Sequence, residues 1–534
     1  MPSQRWTQIN QGPDRDSLEL ASLASSHSDG NEAHSPASSR NLSPWDSPLG
    51  SDFGEDRDPR HERTESGNTV ESFQLQQSTD IGPQRQQALD KQKSLTYFNC
   101  LALVMGLQVG SGIFSSPGTV DHNAGSIGSA IIVWAVAGVL AWTGACSYTE
   151  LGSTIPLNGS SQAYLNYVFG PLAGFLFAWT ALMVLKPGSA AIIALVFGEY
   201  VVKMCVGTDT PAPFWAVTLA ALGGLAFVAL LNCFSTKSST RAGNGFLVLK
   251  LGLLLLIFIV GIVGVAKNDT RSAQISENWF NGASTNLGNY AVALIAGVWA
   301  YDGWDNVNYV TSEMKNFRRD LPRVIHTAMP VVIFCYLLVN LAYFMVLDKD
   351  EVRATQTVAV VLAGRVMGRA GEIIVSLMIA LSCLGALNAT TFTAGRLAYA
   401  SAQEGHLPNI FSRLSAGNTP VYCIVLECTL AAVFIFFGGF ESLVMFYGVS
   451  SYLFYFVTVA SVLVLRFREP ELDRPYKTYL TTPVIFCSVA LFLISYGFFE
   501  KPRQALLSLL FIGSGIPVYF LRHYGYMGVS QSRG

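Results

Sequence analysis

The chain has 534 residues, 51% of them hydrophobic and 13% charged, with a formal net charge of −2 and a mean hydropathy of +0.37. Soluble domains carry about 25% charged residues, so a water-soluble globular fold is excluded for most of the length, and the near-neutral charge gives no footing for nucleic acid. Nine cysteines lie in or beside apolar segments without the CxxC or Cys/His spacing of a metal site, so buried free thiols, no metal and no cofactor are expected.

Residues 1–94 are dominated by Ser, Asp, Glu, Gln, Arg and Pro. Such a segment cannot bury enough apolar surface to fold alone, and it reads as a disordered cytoplasmic tail. It lacks the short apolar core of a secretory signal peptide. It carries Ser-Pro pairs at Ser35, Ser43 and Ser47, and its only lysines, Lys91 and Lys93, lie beside the first apolar run. A plain solvated tail and a phosphorylated, ubiquitinated regulatory tail both fit.

Residues 95–522 read as a transmembrane domain. A helical span needs about 20 apolar residues, and such runs recur at 97–120, 127–155, 172–202, 213–232, 246–266, 288–313, 324–346, 370–402, 420–438, 442–466, 482–499 and 505–522. The expected fold is therefore an all-α membrane protein of about 12 spans, with 523–534 as a short C-terminal tail. With the N-terminus inside, loop Lys and Arg are nearly balanced. The clusters KNFRRDLPR and RFREPELDRPYK and the membrane-proximal Arg85, Lys91, Lys93 and Arg522 tip the balance inward. An Asn268-Asp269-Thr270 sequon then falls on an outer loop.

Two glycine-rich interruptions sit inside these runs at matching places: Gly110-Ser111-Gly112 in the first and Ala300-Tyr301-Asp302-Gly303 in the sixth. A break at bilayer depth frees backbone polar groups that are tolerated only where they line a cavity. Paired broken helices in two halves point to the binding site of a secondary transporter. The spacing suggests five spans mirrored by the next five, with two extra helices. An α-amino acid complements such breaks. Its carboxylate suits the N–H groups of Ser111, Gly112 and Ile113 at a helix start. Its ammonium suits carbonyls near Val109 and those of Trp299 and Ala300. Close helix packing on small residues is the competing reading.

The segments QVGSGIFSSPG and GVWAYDGWDNVNYVTSEM, with SYTELGSTIPLNGSSQAYL, FSTKSSTR, FTAGRLAYASAQEGHLP and RPYK, resemble the L-type amino acid transporters. These are light chains of heteromeric carriers in the amino acid/polyamine/organocation superfamily. The long Ser-rich tail is more similar to fungal members. The resemblance implies a leucine-transporter-like fold and amino acid transport. It also implies that Val109, Gly110, Ser111 and Gly112 hold the substrate's carboxylate and amine, and that Trp299 caps the substrate. Ala300 and Asp302 match the unwound part of the sixth span. Lys250 matches a lysine kept where sodium-coupled relatives bind sodium.

Lys250 also stands out by position, because an ammonium in mid-span is costly. As a tethered cation it favours sodium-independent transport; as a titrating group it allows proton coupling. Three residues depart from the family pattern. Asp302 replaces a small residue and resembles the carriers of cystine and dibasic amino acids; cationic recognition, contact with the substrate ammonium and capping of the following half-helix all remain open. Gln108 replaces an aliphatic residue and suits a polar side chain. Asp209 lies near the family's heavy-chain cysteine, and Cys205 is about four residues earlier, so no covalent heavy chain is expected.

Glu150 fits either an inner gate or a plain helix-end charge, Glu427 requires a partner or a proton if buried, and Asn388 either lines the pocket or satisfies a neighbour. His406 is a loop residue. No Ser/His/Asp or phosphate-loop pattern suggests an enzyme. The expected protein is a multi-pass carrier of L-amino acids, neutral and also dibasic or sulfur-containing, working as a sodium-independent exchanger. Its partners are the amino acid and membrane lipid, and its site is the plasma membrane or the vacuolar membrane. A proton-coupled symporter and an amino acid sensor signalling through the tail are the rival readings.

Overall fold

In the computed structural model the described residues are 95–531, apart from 208–209, 211, 235, 268–278, 416–418, 438–439 and 501. The tail, the sequon and Asp209 thus lie outside the described residues. The first elements are α1 (Tyr97–Gln108), α2 (Gly112–Ser115), α3 (Pro117–Ala124), α4 (Ile127–Thr154), α5 (Ser161–Phe169) and α6 (Pro171–Thr180). A π-helical turn, Ala181–Leu185, leads into α7 (Lys186–Val206), followed by α8 (Phe214–Phe234), α9 (Thr236–Lys267) and α10 (Leu287–Ala300). A 3-10 stretch, Asn306–Glu313, precedes α11 (Phe317–Val346), α12 (Lys349–Ala354) and α13 (Val358–Gln403). The chain ends in α14 (Val421–Phe437), α15 (Phe440–Arg468), α16 (Thr481–Glu500) and α17 (Pro502–Gln531).

Among the described residues the apolar runs read from the sequence fall on helix, apart from short non-helical stretches that include 109–111 and 301–305. Among the described residues nine helices are long and apolar enough to cross a bilayer, and Leu287–Ala300, Val421–Phe436 and Thr481–Tyr496 are shorter apolar helices. The short helices α5 and α12, the π turn, a 3-10 turn at Asn409–Ser412, the start of α13 at Val358 and the continuation of α17 past residue 522 were not foreseen. The only extended pairing among the described residues is an isolated bridge between Leu95 and Met314.

Local chemistry sets many of the ends. Ser126 caps α4 by accepting the N–H of Ser129, and Asn286 caps α10 by accepting that of Gly288. Asp348 and Glu351 form a capping box on α12. Pro187 has no N–H to donate, which leaves the preceding turn short of one bond beside the π segment. The helices bury one face and leave the other apolar. On α4, Trp134, Ala137 and Ala141 face inward, whereas Ile132, Val136 and Val139 are exposed. A long apolar outer face suits lipid and not water. The first helix, α1, is packed by α9, α11 and α13, and α10 lies against α3 and α4. That packing brings the two interruptions together.

Candidate functional site

The first interruption spans Val109 to Ser111. Val109 ends α1 with ψ of 61°, and Gly110 bonds back only as far as Gln108, at 2.7 Å. Helical structure resumes at Gly112 and runs on through Ser116, itself in the right-handed region, into α3. The first N–H groups of a helix have no intrahelical acceptor, so Gly112 and Ile113 present theirs at the gap. The second interruption spans Tyr301 to Asp305, between α10 and the 3-10 stretch. Gly303 turns it with φ of +102°, a backbone region that glycine enters freely.

The two gaps touch. A Cβ on Gly112 would lie 2.5 Å from the Cα of Ala300, so this glycine serves helix packing as well as any ligand. Gln108 donates from Nε2 to the carbonyl of Tyr301 at 3.1 Å, which ties one gap to the other. The Tyr336 hydroxyl reaches the carbonyls of Gln108 at 2.5 Å and Ala300 at 3.1 Å. Ser382 donates to Val109 at 3.0 Å. Lys250, fully buried, donates from Nζ to the carbonyl of Gly106, which fastens α9 to the last turn of α1.

The carbonyls expected to wait for a substrate ammonium are therefore already engaged at Val109 and Ala300. Each carbonyl oxygen keeps a second lone pair.

A small cavity opens between the gaps. Leu107, Gln108, Ser111, Gly112, Trp299, Ala300 and Asp302 line it, with Ser189 and Ile193 from α7. Trp299 and Asp302 also line a second cavity against α15. These two residues thus stand between the two spaces. Trp299 meets Tyr447 edge-on, with ring centroids 5.0 Å apart. The Asp302 carboxylate accepts from the hydroxyls of Tyr447 at 2.5 Å and Tyr455 at 2.9 Å. The residue in the N-cap position of the following 3-10 stretch is Asp305, not Asp302. A cap of that stretch by Asp302 is therefore not the geometry seen, because its oxygens turn toward α15.

Other polar residues find ordinary roles. Asn388 is satisfied by Asn232 and Ser239. Glu150 is buried, holds Arg466 through two bonds of 2.9 and 2.5 Å, and accepts the N–H of Thr478. His406 lies in the segment after α13; burial, with help from Arg522, pushes it down to about 4. It is neutral at physiological pH. Cys205 is exposed near the end of α7. Glu427 is buried, with Oε1 unpartnered.

Sequence reading missed Lys186, Tyr336, Ser382, Tyr447, Tyr455 and Asp305. The lysine was findable, since a charge inside the run 172–202 is the same signal that marked Lys250.

Apolar outer faces, a bundle of membrane-length helices and a polar cavity between two interrupted helices define a multi-pass integral membrane transporter. Comparison with known proteins gives the family. The amino acid permease profile matches residues 95–521. The b(0,+)-type amino acid transporter 1 of Mus musculus is 38% identical over 82% of this chain and 90% of its own length. Its Homo sapiens counterpart is 36% identical over 85% and 93%. The large neutral amino acids transporter small subunit 2 of Mus musculus is 36% identical over 81% of each chain. The chain belongs to the amino acid permease family, and within it to the L-type amino acid transporters. It is a transporter and not an enzyme.

Proposed function

We propose that this protein carries L-amino acids across its membrane by alternating access, as a sodium-independent exchanger of neutral and dibasic substrates. The observation that carries the reading is the cavity between the two helix gaps, with Trp299 and Asp302 on its wall. In this reading the N–H groups of Ser111, Gly112 and Ile113 take the carboxylate. Second lone pairs at Val109, Trp299 and Ala300 take the ammonium, Trp299 closes over the substrate, and Gln108 and Asp302 meet its side chain. Lys250 supplies a fixed positive charge against α1, where a bound sodium ion would otherwise be needed. The name of the large neutral amino acids transporter small subunit 2 supports the neutral half of the specificity, and the Asp302 carboxylate on the cavity wall supports the dibasic half. The membrane proposed is the plasma membrane, with the vacuolar membrane as the alternative, and the chain acts without a covalent partner.

The test is uptake of labelled leucine and of labelled arginine into liposomes holding the purified chain alone, with and without leucine inside. Strong stimulation by internal leucine at zero proton gradient supports exchange by a single chain. Uptake into empty vesicles only under an inward proton gradient would replace exchange with symport, a second reading favoured by the buried carboxyl of Glu427. No flux in either case would reject amino acid transport by the chain alone.

A further inference from the structure

Away from both cavities, a buried ion pair joins parts of the chain that the site described above does not use. The helix α3 carries the first interrupted span on from its gap. The segment that enters α10, the first part of the sixth span, lies against the end of α3. Ser284 N–H donates to the carbonyl of Ala124 at 3.1 Å, and a Cβ on Gly125 would meet the carbonyl oxygen of Gly282.

The short helix α12 reaches both segments. A Cβ on Gly118 would lie 2.7 Å from the carbonyl oxygen of Val352 and 3.0 Å from that of Thr355, so α3 and α12 touch backbone to backbone. One turn further along α3, Asp121 is fully buried, and its Oδ2 accepts from Nε of Arg353 at 2.7 Å. The same guanidinium donates from Nη2 to the carbonyls of Asp121 at 3.4 Å and Gly125 at 3.1 Å. It therefore closes the end of α3, where carbonyls run out of helical donors, and also matches the buried acid. Lys349, four residues earlier on α12, donates from Nζ to the carbonyl of Asn281 at 3.2 Å, in the segment that enters α10. An ion pair between Glu351 and Arg365 fastens α12 to the start of α13. Beyond it α13 is broken at Gly368, with φ of 66° and ψ of −158°.

Contacts thus run from α3 to the segment before α10, from that segment to α12, and from α12 back to α3. A closed triangle leaves no single contact about which one part can turn alone. Arg353 is its strongest corner. Asp121 Oδ1 has no partner among the described residues, so loss of the guanidinium strands a buried charge.

We propose that α12 is a clamp that holds α3 and the entry to α10 as one body, through Arg353 on Asp121 and Lys349 on Asn281, so that the two interrupted spans close over a substrate together. The closing role rests on the transport reading above; the clamp itself does not. A solute held between Gly112 of the first span and Ala300 of the sixth needs both to arrive at once. Arg353 is a positioning residue, acting on the solute through α3.

The experiment uses the full chain. In liposomes exchanging labelled leucine, Arg353→Met is expected to raise the KM about tenfold with kcat unchanged, the result of a closed form populated one-tenth as often. Gly118→Ala weakens the same contact without removing a charge, since its Cβ must push the Val352 carbonyl away, and the KM should rise in that variant too. A wild-type KM in either variant, with only a lower Tm, would overturn the closing role; should Arg353→Met fail to fold, Gly118→Ala decides alone. A second readout needs no substrate. Hydrogen exchange in detergent, followed by mass spectrometry, should quicken in Arg353→Met over both the end of α3 and residues 279–286, and stay as in wild type across α15. Quickening confined to α12 would overturn the clamp. If the wild-type chain moves no leucine, the transport reading and the closing role fail together, while hydrogen exchange still decides whether the three segments behave as one body.

Discussion

At the scale of single residues the site turns on atoms that have no room or no counter-charge. A Cβ at Gly112 would meet the Cα of Ala300 at 2.5 Å and its Cβ at 3.0 Å. The first is a backbone atom that can yield only if the two gaps separate. Overpacking of this kind costs about 1–3 kcal/mol, and here it falls on the parts that must close around a substrate. Gly112→Val is expected to abolish leucine uptake at normal surface level and to lower the Tm, with Gly112→Ala between it and wild type. Normal uptake by the valine variant would reject the placement of the site. Asp302 poses a question of charge and not of space. Asp302→Asn keeps the side chain's size and an acceptor for Tyr447 or Tyr455 but removes the charge. Arginine uptake should fall about tenfold more than leucine uptake, in keeping with one lost charge contact; equal losses would mean that the carboxylate only holds α15.

At the scale of elements, Tyr336 shows how a third helix closes the two gaps. Its hydroxyl on α11 is shared by the carbonyls that end α1 and α10. Leaving buried carbonyls short of a donor costs about 1–3 kcal/mol, so Tyr336→Phe should lower the Tm and raise the KM for leucine together. A Tm loss with unchanged KM would confine Tyr336 to scaffolding. This element also marks the limit of what sequence could tell. The spans were legible because a helix in lipid must be apolar for its full length, and the gaps were legible because glycine and aspartate interrupt that composition. Tyr336, Ser382 and Tyr447 left no such trace. Each is an unremarkable polar residue in an apolar run, and its meaning comes from a contact more than 140 residues away. The same holds for Gln108. Its departure from an aliphatic pattern was visible, but not that its Nε2 would be used on Tyr301 and its Oε1 left unpartnered. The capping role considered for Asp302 failed because the cap position fell three residues later, and end positions are the least regular part of any helix.

At the scale of the whole molecule, the question is which connections stay fixed while the gapped helices move. Glu150 lies in the last turns of α4, inside a dense set of contacts. Arg466 from α15 grips it with two bonds, the N–H of Thr478 adds a third, and Arg474 lies 3.7 Å away. The Glu150 side chain is 3% exposed and that of Arg466 12%. Removing one partner of a buried pair strands the other charge, at a cost of about 3–5 kcal/mol. This geometry ties α4, α15 and the segment before α16 into one unit, and such a tie suits a frame better than a gate. Glu150→Gln should therefore lower the Tm strongly, and Arg466→Met added to it should recover part of the loss, since both charges are then gone. The flux per folded molecule should change little, and the stimulation by internal leucine should be kept. A gate behaves otherwise. If Glu150→Gln left the Tm near wild type but let leucine leak out of loaded vesicles without exchange, the cluster would be part of the moving barrier, and the frame would have to be sought elsewhere in the bundle.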